Sequence, residues 1–101
     1  METFRFTTEL WRWKAQEGWF FVTLPEDVSA VVRSVPRPPR GFGSVRVRAR
    51  VDGPGPTTVW DTSVFPDASS GCYVLPVKKQ VRLAHDLDEG DPVDLQLEVL
   101  E

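Results

Sequence analysis

The stretch GSVRVRARV, residues 43–51, places Val45, Val47, Ala49 and Val51 on one side of the chain and Arg46, Arg48 and Arg50 on the other. No helix sorts residues this way: a period of two is the pleat of a β-strand with one face against a core and the other in water. VDLQLEVL (93–100) repeats the pattern, with Val93, Leu95, Leu97 and Val99 opposed to Asp94, Gln96 and Glu98. Two half-buried strands need a common interior, and this confines the chain to sheet-rich architectures built round one core.

Four further segments read as strands. Residues 3–14 alternate with Phe4, Phe6 and Leu10 on one face, and the apolar phase then slips to Trp11 and Trp13, which predicts a β-bulge. WFFVTL (19–24) is apolar on both faces, as in a buried strand, and TTVWDTSVF (57–65) and GCYVLP (71–76) complete the set. Turn chemistry separates them: EG at 17–18, DGPGP at 52–56, PDASSG at 66–71 and DEGDP at 88–92.

Two segments have helical character instead. In PEDVSAVVRSV (25–35), Pro25 suits a first-turn position and Glu26 and Asp27 complement the positive end of the dipole. Val28, Val31, Val32 and Val35 then form one stripe at i, i+3, i+4 and i+7. VKKQVRLAH (77–85) is the second short helix. Six strands, two short helices and tight turns fit an all-β barrel better than a sandwich, because closure removes exposed edges and Gly/Pro corners supply the bending.

The length of 101 residues suits a single domain spanning residues 1–101, and a composition 41% hydrophobic with four Trp and six Phe can fill its core. No apolar run reaches the roughly 20 residues of a membrane-spanning helix. The first residues, METFRFTTEL, lack the basic-then-apolar order of a secretory signal, so a cytoplasmic protein is expected. Cys72 is the sole cysteine, which excludes an internal disulfide and a multi-cysteine metal site. Charge is uneven: residues 28–51 hold Arg33, Arg37, Arg40, Arg46, Arg48 and Arg50 without an acid, whereas residues 86–101 carry acids and no base. Such asymmetry marks either an interaction surface or two segments that lie against each other.

GFGSV (41–45), WDTSVFPD (60–67), GCYVLPVKKQVR (71–82) and EGDPV (89–93), with the aromatic entry GWFFVTLPEDVS (18–29), resemble a bacterial and archaeal family known as domain of unknown function 1905. The resemblance implies a small closed six-stranded β-barrel of Greek-key type, like the third domain of translation elongation factor Tu. It implies no activity. Residues 75–98 are also similar to the AbrB-type DNA-binding hairpin, in Leu75-Pro76, Val81-Arg82, Leu87 and Gly90-Asp91. The gap between Pro76 and Val81 is two residues longer than that pattern. The shared part has a structural cause: Gly90 can take the positive φ that follows a helix, and Asp91 before Pro92 is held extended.

Chemistry is sparse in this sequence. His85 is the only histidine, so a Ser/His or Cys/His system would have to use it, and its place at a helix C-terminus suggests capping instead. DLDEGD (86–91) has the glycine one place early for a calcium loop, and Leu97 stands where the bidentate Glu belongs. Arg33, Pro36 and Pro39 match a polyproline ligand pattern, but Arg33 is expected to be helical. No catalytic residue, metal ligand or cofactor is therefore expected. The most site-like group surrounds the second helix: Lys78 and Arg82, four apart on one face, with Thr62, Ser63 and Tyr73 offering hydroxyls if the barrel brings them near. Together they would suit a small anion, the competing arrangement being Lys78 and Arg82 paired with Asp61 and Asp67. A binding module for a small anionic ligand or a protein partner ranks first. Nucleic-acid binding follows, disfavoured by a pI near 5.1, and an enzyme comes last. If the strands at 43–51 and 93–100 are neighbours, at least one of Arg46, Arg48 and Arg50 should pair with an acid.

Overall fold

The alternation that opens the sequence is realised residue by residue. In the computed structural model, which describes residues 3–36 and 43–100, Val45, Val47, Ala49 and Val51 are buried while Arg46, Arg48 and Arg50 are exposed. The strands are β1 (Thr3–Arg12), β2 (Phe20–Thr23), β3 (Val45–Val51), β4 (Thr58–Pro66), β5 (Tyr73–Pro76) and β6 (Pro92–Val99). Helix α1 (Glu26–Ser34) joins β2 to β3, and α2 (Lys79–Ala84) joins β5 to β6.

All strand pairings are antiparallel and close a barrel in the order β1-β2-β5-β4-β3-β6. Strands β3, β4 and β5 form a meander while β2 lies beside β5, which is the Greek-key arrangement. The interior is filled from every strand: Leu10, Val22, Val45, Val47, Val64, Leu75, Leu95 and Leu97 are all fully buried. Deleting the side chain beyond Cβ at Leu95 or Leu97 would cost about 2–5 kcal/mol. Among the described residues no helix is long and apolar enough to cross a membrane.

The expected bulge in the first strand is absent. β1 pairs without a skipped residue, from Thr3↔Glu98 to Glu9↔Pro92 along β6 and then from Leu10↔Val22 to Arg12↔Phe20 along β2. The apolar residues change face because the outer side of the β1–β2 hairpin is itself aromatic. Trp11 stacks on Phe21 with centroids 5.1 Å apart, and Trp13 meets Trp19 edge-on at 6.3 Å.

Both helices are tied to the ends of β5. Ser29 of α1, buried, accepts the Tyr73 N–H at 3.0 Å and donates to Leu24 O at 3.4 Å, which satisfies its hydroxyl inside the core. α2 ends in a Schellman cap: Leu87 N–H donates to Arg82 O at 2.8 Å and Asp86 N–H to Leu83 O at 3.4 Å. The left-handed residue of that cap is Asp86, at φ 51°, and not Gly90 as the sequence suggests. Gly90, at φ 92°, serves the turn into β6, where its N–H donates to Leu10 O at 2.8 Å.

Candidate functional site

β5 has four residues, and β4 is paired with it only at Phe65↔Val74 and Pro66↔Tyr73. β4 continues upstream through Trp60, Asp61 and Thr62, bonded to β3 on its other side. The chain leaves β5 after Pro76 to enter α2, so a cleft opens there. It has a volume of about 440 Å³, within the range of small-ligand sites. Its walls are Trp19, just before β2, and Phe20 at its start, Trp60, Asp61 and Thr62 from β4, and the turn that leads into α2.

Lys78, Lys79 and Arg82 bring three positive charges to this cleft. Arg82 is fixed from two sides: its guanidinium lies 3.9 Å from the centre of the Phe20 ring, and its Nε donates to Val77 O at 3.2 Å. A cation over an aromatic face gains from the ring quadrupole, and this geometry keeps the half-buried Arg82 directed along the cleft wall. Lys78 and Lys79 are exposed. Among the described residues no carboxylate lies within ion-pair distance of any of the three.

The acids expected to neutralise Lys78 and Arg82 have other partners. Asp61 accepts from Arg48 Nε at 2.7 Å and Nη2 at 3.1 Å. The Arg48 hydrogen bond and charge hold its carboxyl below the usual carboxylate range. Asp67 accepts from the hydroxyls of Ser70 at 2.8 Å and Ser69 at 3.1 Å, and those bonds depress its carboxyl as well.

Of the five residues singled out in the sequence, Lys78, Arg82 and Thr62 meet in the cleft. Ser63 and Tyr73 do not line it. Ser63 follows Thr62 directly on a strand, so it points to the opposite face, where it accepts from Arg46 Nη1 at 3.3 Å. Tyr73 stands at the far end of β5, buried beneath α1, with the Arg33 guanidinium 5.7 Å from its ring centre. Sequence reasoning missed Lys79, Trp19, Phe20 and Trp60. The doubled lysine in VKKQVR was a usable signal for the first, but nothing in the sequence separates these aromatics from core.

The arginine strand has its own partners. β3 lies between β4 and β6, as the charge distribution suggested, with Arg48 opposite both Asp61 and Glu98. Arg48 reaches Glu98 at 3.7 Å in addition to Asp61, and Arg50 pairs with Asp52 at 3.0 Å. The remaining candidates are structural too. His85 is buried, with Nδ1 3.0 Å from Pro54 O and Nε2 2.8 Å from Thr58 Oγ1. Pro54 O can only accept, so Nδ1 is the donor in that contact, and Nε2 is engaged with the Thr58 hydroxyl. Arg33 belongs to α1 and donates to Gly71 O at 2.9 Å, while Pro39 of the same polyproline pattern lies outside the described residues.

The family described as Domain of unknown function (DUF1905) matches residues 6–97, nearly the full extent of the barrel. The chain belongs to the DUF1905 family. No match was found among curated proteins. DUF1905 membership agrees with the closed six-stranded barrel and carries no activity with it, so the chemistry of the cleft must be argued from its own residues.

Proposed function

We propose that this DUF1905 domain is a cytoplasmic, non-catalytic binding module that holds a small anionic ligand in the cleft between β2, β4 and α2. The observation that carries the reading is the imbalance in one place between three cations and a single carboxylate, Asp61, that is engaged by Arg48. Lys78, Lys79 and Arg82 line the cleft, and the nearby Asp61 is already bound to Arg48. Like charges placed close together repel, and an anion among them removes that cost. Thr62 adds a hydroxyl that can donate to the same ligand.

A nucleophilic enzyme finds less support, because the one histidine is buried and both of its ring nitrogens are engaged. Nucleic-acid binding through β3 also finds less, because Arg48 and Arg50 are paired with carboxylates along the barrel wall.

The test is a thermal-shift titration with inorganic phosphate and pyrophosphate. Ligand binding to the folded state alone raises Tm. The rise should disappear in Lys78→Gln/Arg82→Gln and shrink in Lys79→Gln, whose exposed side chain leaves folding untouched. A rise of unchanged size in both variants would remove the reading.

A further inference from the structure

A site for a bare anion needs cations and hydroxyls, but this cleft also has aromatic walls. Phe20 is occupied by the Arg82 guanidinium and Trp60 is mostly buried. Trp19 is different. It is one of the residues that line the cleft, and 46% of it is exposed. It is nonetheless packed against neighbours: Phe21 lies against it with centroids 6.0 Å apart and planes tilted 30°, and Trp13 meets it at 6.3 Å and 79°. Trp11 stacks behind Phe21 at 5.1 Å, and its indole N–H donates to Thr23 Oγ1 at 2.9 Å, which anchors the whole row to β2. The result is an indole packed against other aromatics at the edge of a cleft that three cations also line, with ring surface left in water.

We propose that the ligand of this cleft is a nucleoside phosphate, with its base stacked on Trp19 and its phosphate held by Lys78, Lys79 and Arg82. The inference rests on the anion-binding reading above and specifies its chemistry. Three cations exceed what a single carboxylate needs and match a phosphate group, which carries up to two negative charges. A buttressed aromatic gives a flat ring a surface at little cost in ordering, and every nucleobase has such a π-face. The same unit occurs as a free nucleotide and within a single strand, and the two are told apart below.

The experiment titrates the intact chain with AMP, CMP, ribose 5-phosphate, adenosine and a single-stranded oligothymidylate of about eight nucleotides, a length within the span of single-strand sites. Tryptophan fluorescence and Tm are followed. AMP and CMP should quench fluorescence and bind at least about tenfold more tightly than ribose 5-phosphate, as one stacked base implies. Trp19→Leu should lower AMP affinity to that of ribose 5-phosphate and leave ribose 5-phosphate unaffected, whereas Lys78→Gln should weaken both. Ribose 5-phosphate binding as tightly as AMP, with no effect of Trp19→Leu, would overturn the nucleotide and leave the anion site standing. Adenosine binding as tightly as AMP would overturn it equally, since the cations would then be idle. Failure of every phosphate compound to bind would remove both the nucleotide and the anion site. Oligothymidylate binding at least about tenfold more tightly than mononucleotides, with affinity falling steeply as salt rises, identifies the source as a strand. Equal or weaker binding identifies a free nucleotide.

Discussion

β3 and the approach to α2 are the two cationic regions of this barrel, and they have opposite fates. β3 places Arg46, Arg48 and Arg50 on one outward face, so by charge density it is the more conspicuous. Its two neighbouring strands and the turn that follows it supply the partners. Arg48 is shared between Asp61 and Glu98, Arg50 pairs with Asp52, and Arg46 bonds Ser63. Lys78, Lys79 and Arg82 sit where a strand ends and the ladder opens, and the carboxylate nearest to hand is already committed to β3. A row of charges on a strand interior meets whatever the next strand carries. A cluster at a strand end meets solvent or a ligand. The difference teaches that the termination of pairing, more than the number of cations, marks a site.

The largest effect that would sharpen this contrast lies beneath α2. His85 ties the end of that helix to the β3–β4 connection through Pro54 and Thr58. His85→Ala leaves two polar groups without their partner and a hole in the packing, and should cost about 2–4 kcal/mol in denaturant unfolding. It should also weaken phosphate binding, because the cations of the cleft depend on where α2 is held. An unfolding free energy equal to that of the wild type would show that α2 is positioned by something else.

A smaller effect would break the comparison outright. Arg48→Gln frees Asp61, which lines the cleft, and should reduce the phosphate-induced rise in Tm, but by less than Lys78→Gln does. A rise reduced as much as in Lys78→Gln would mean that the two regions act as one site.

The smallest effect concerns acid. The carboxyls of Asp52, Asp61 and Asp67 are held below their ordinary values, Asp52 first by the Thr57 hydroxyl and then by Arg50. A carboxyl depressed in the folded state contributes stability that is present above its unfolded value, about 3.9, and is lost as pH falls through its folded value. Tm should therefore decline below about pH 4, and Asp61→Asn should make the decline shallower. An identical slope in Asp61→Asn would show that the β3 pairs contribute nothing measurable, as is common for exposed ion pairs.

Much of the fold was legible in the sequence because its strands are half-buried. Val45 through Val51 and Val93 through Val99 each state which face is inside, and that face fixes register against any neighbour. The slip at Trp11 misled for a definite reason. Alternation records which side is apolar, and on the β1–β2 hairpin both sides are: Leu10 faces the core, whereas Trp11, Trp13 and Trp19 pack on one another outside. The left-handed residue after α2 misled in a similar way. Glycine is the usual occupant of that position, but Asp86 takes it here.

The site was legible only in part. The spacing of Lys78 and Arg82 puts them on one helix face, and the strand period forbids Thr62 and Ser63 from sharing a face, a constraint that local geometry alone imposes. The placing of Tyr73 has no such local signature, since it depends on which helix covers which end of β5.

The sequence by itself determined that the chain is a strand-built domain with one core, where its strands and turns fall, and which side of β3 and β6 is inside. Those properties follow from local periodicity and turn chemistry, which each segment carries on its own. Only the tertiary structure decided which charges meet. β3 lies beside β6 and β4, Asp61 bonds Arg48 and neither Lys78 nor Arg82, and Trp19 lines the same cleft as those two cations. Pairing across a barrel joins residues far apart in the chain, and no local pattern encodes where a distant partner strand ends.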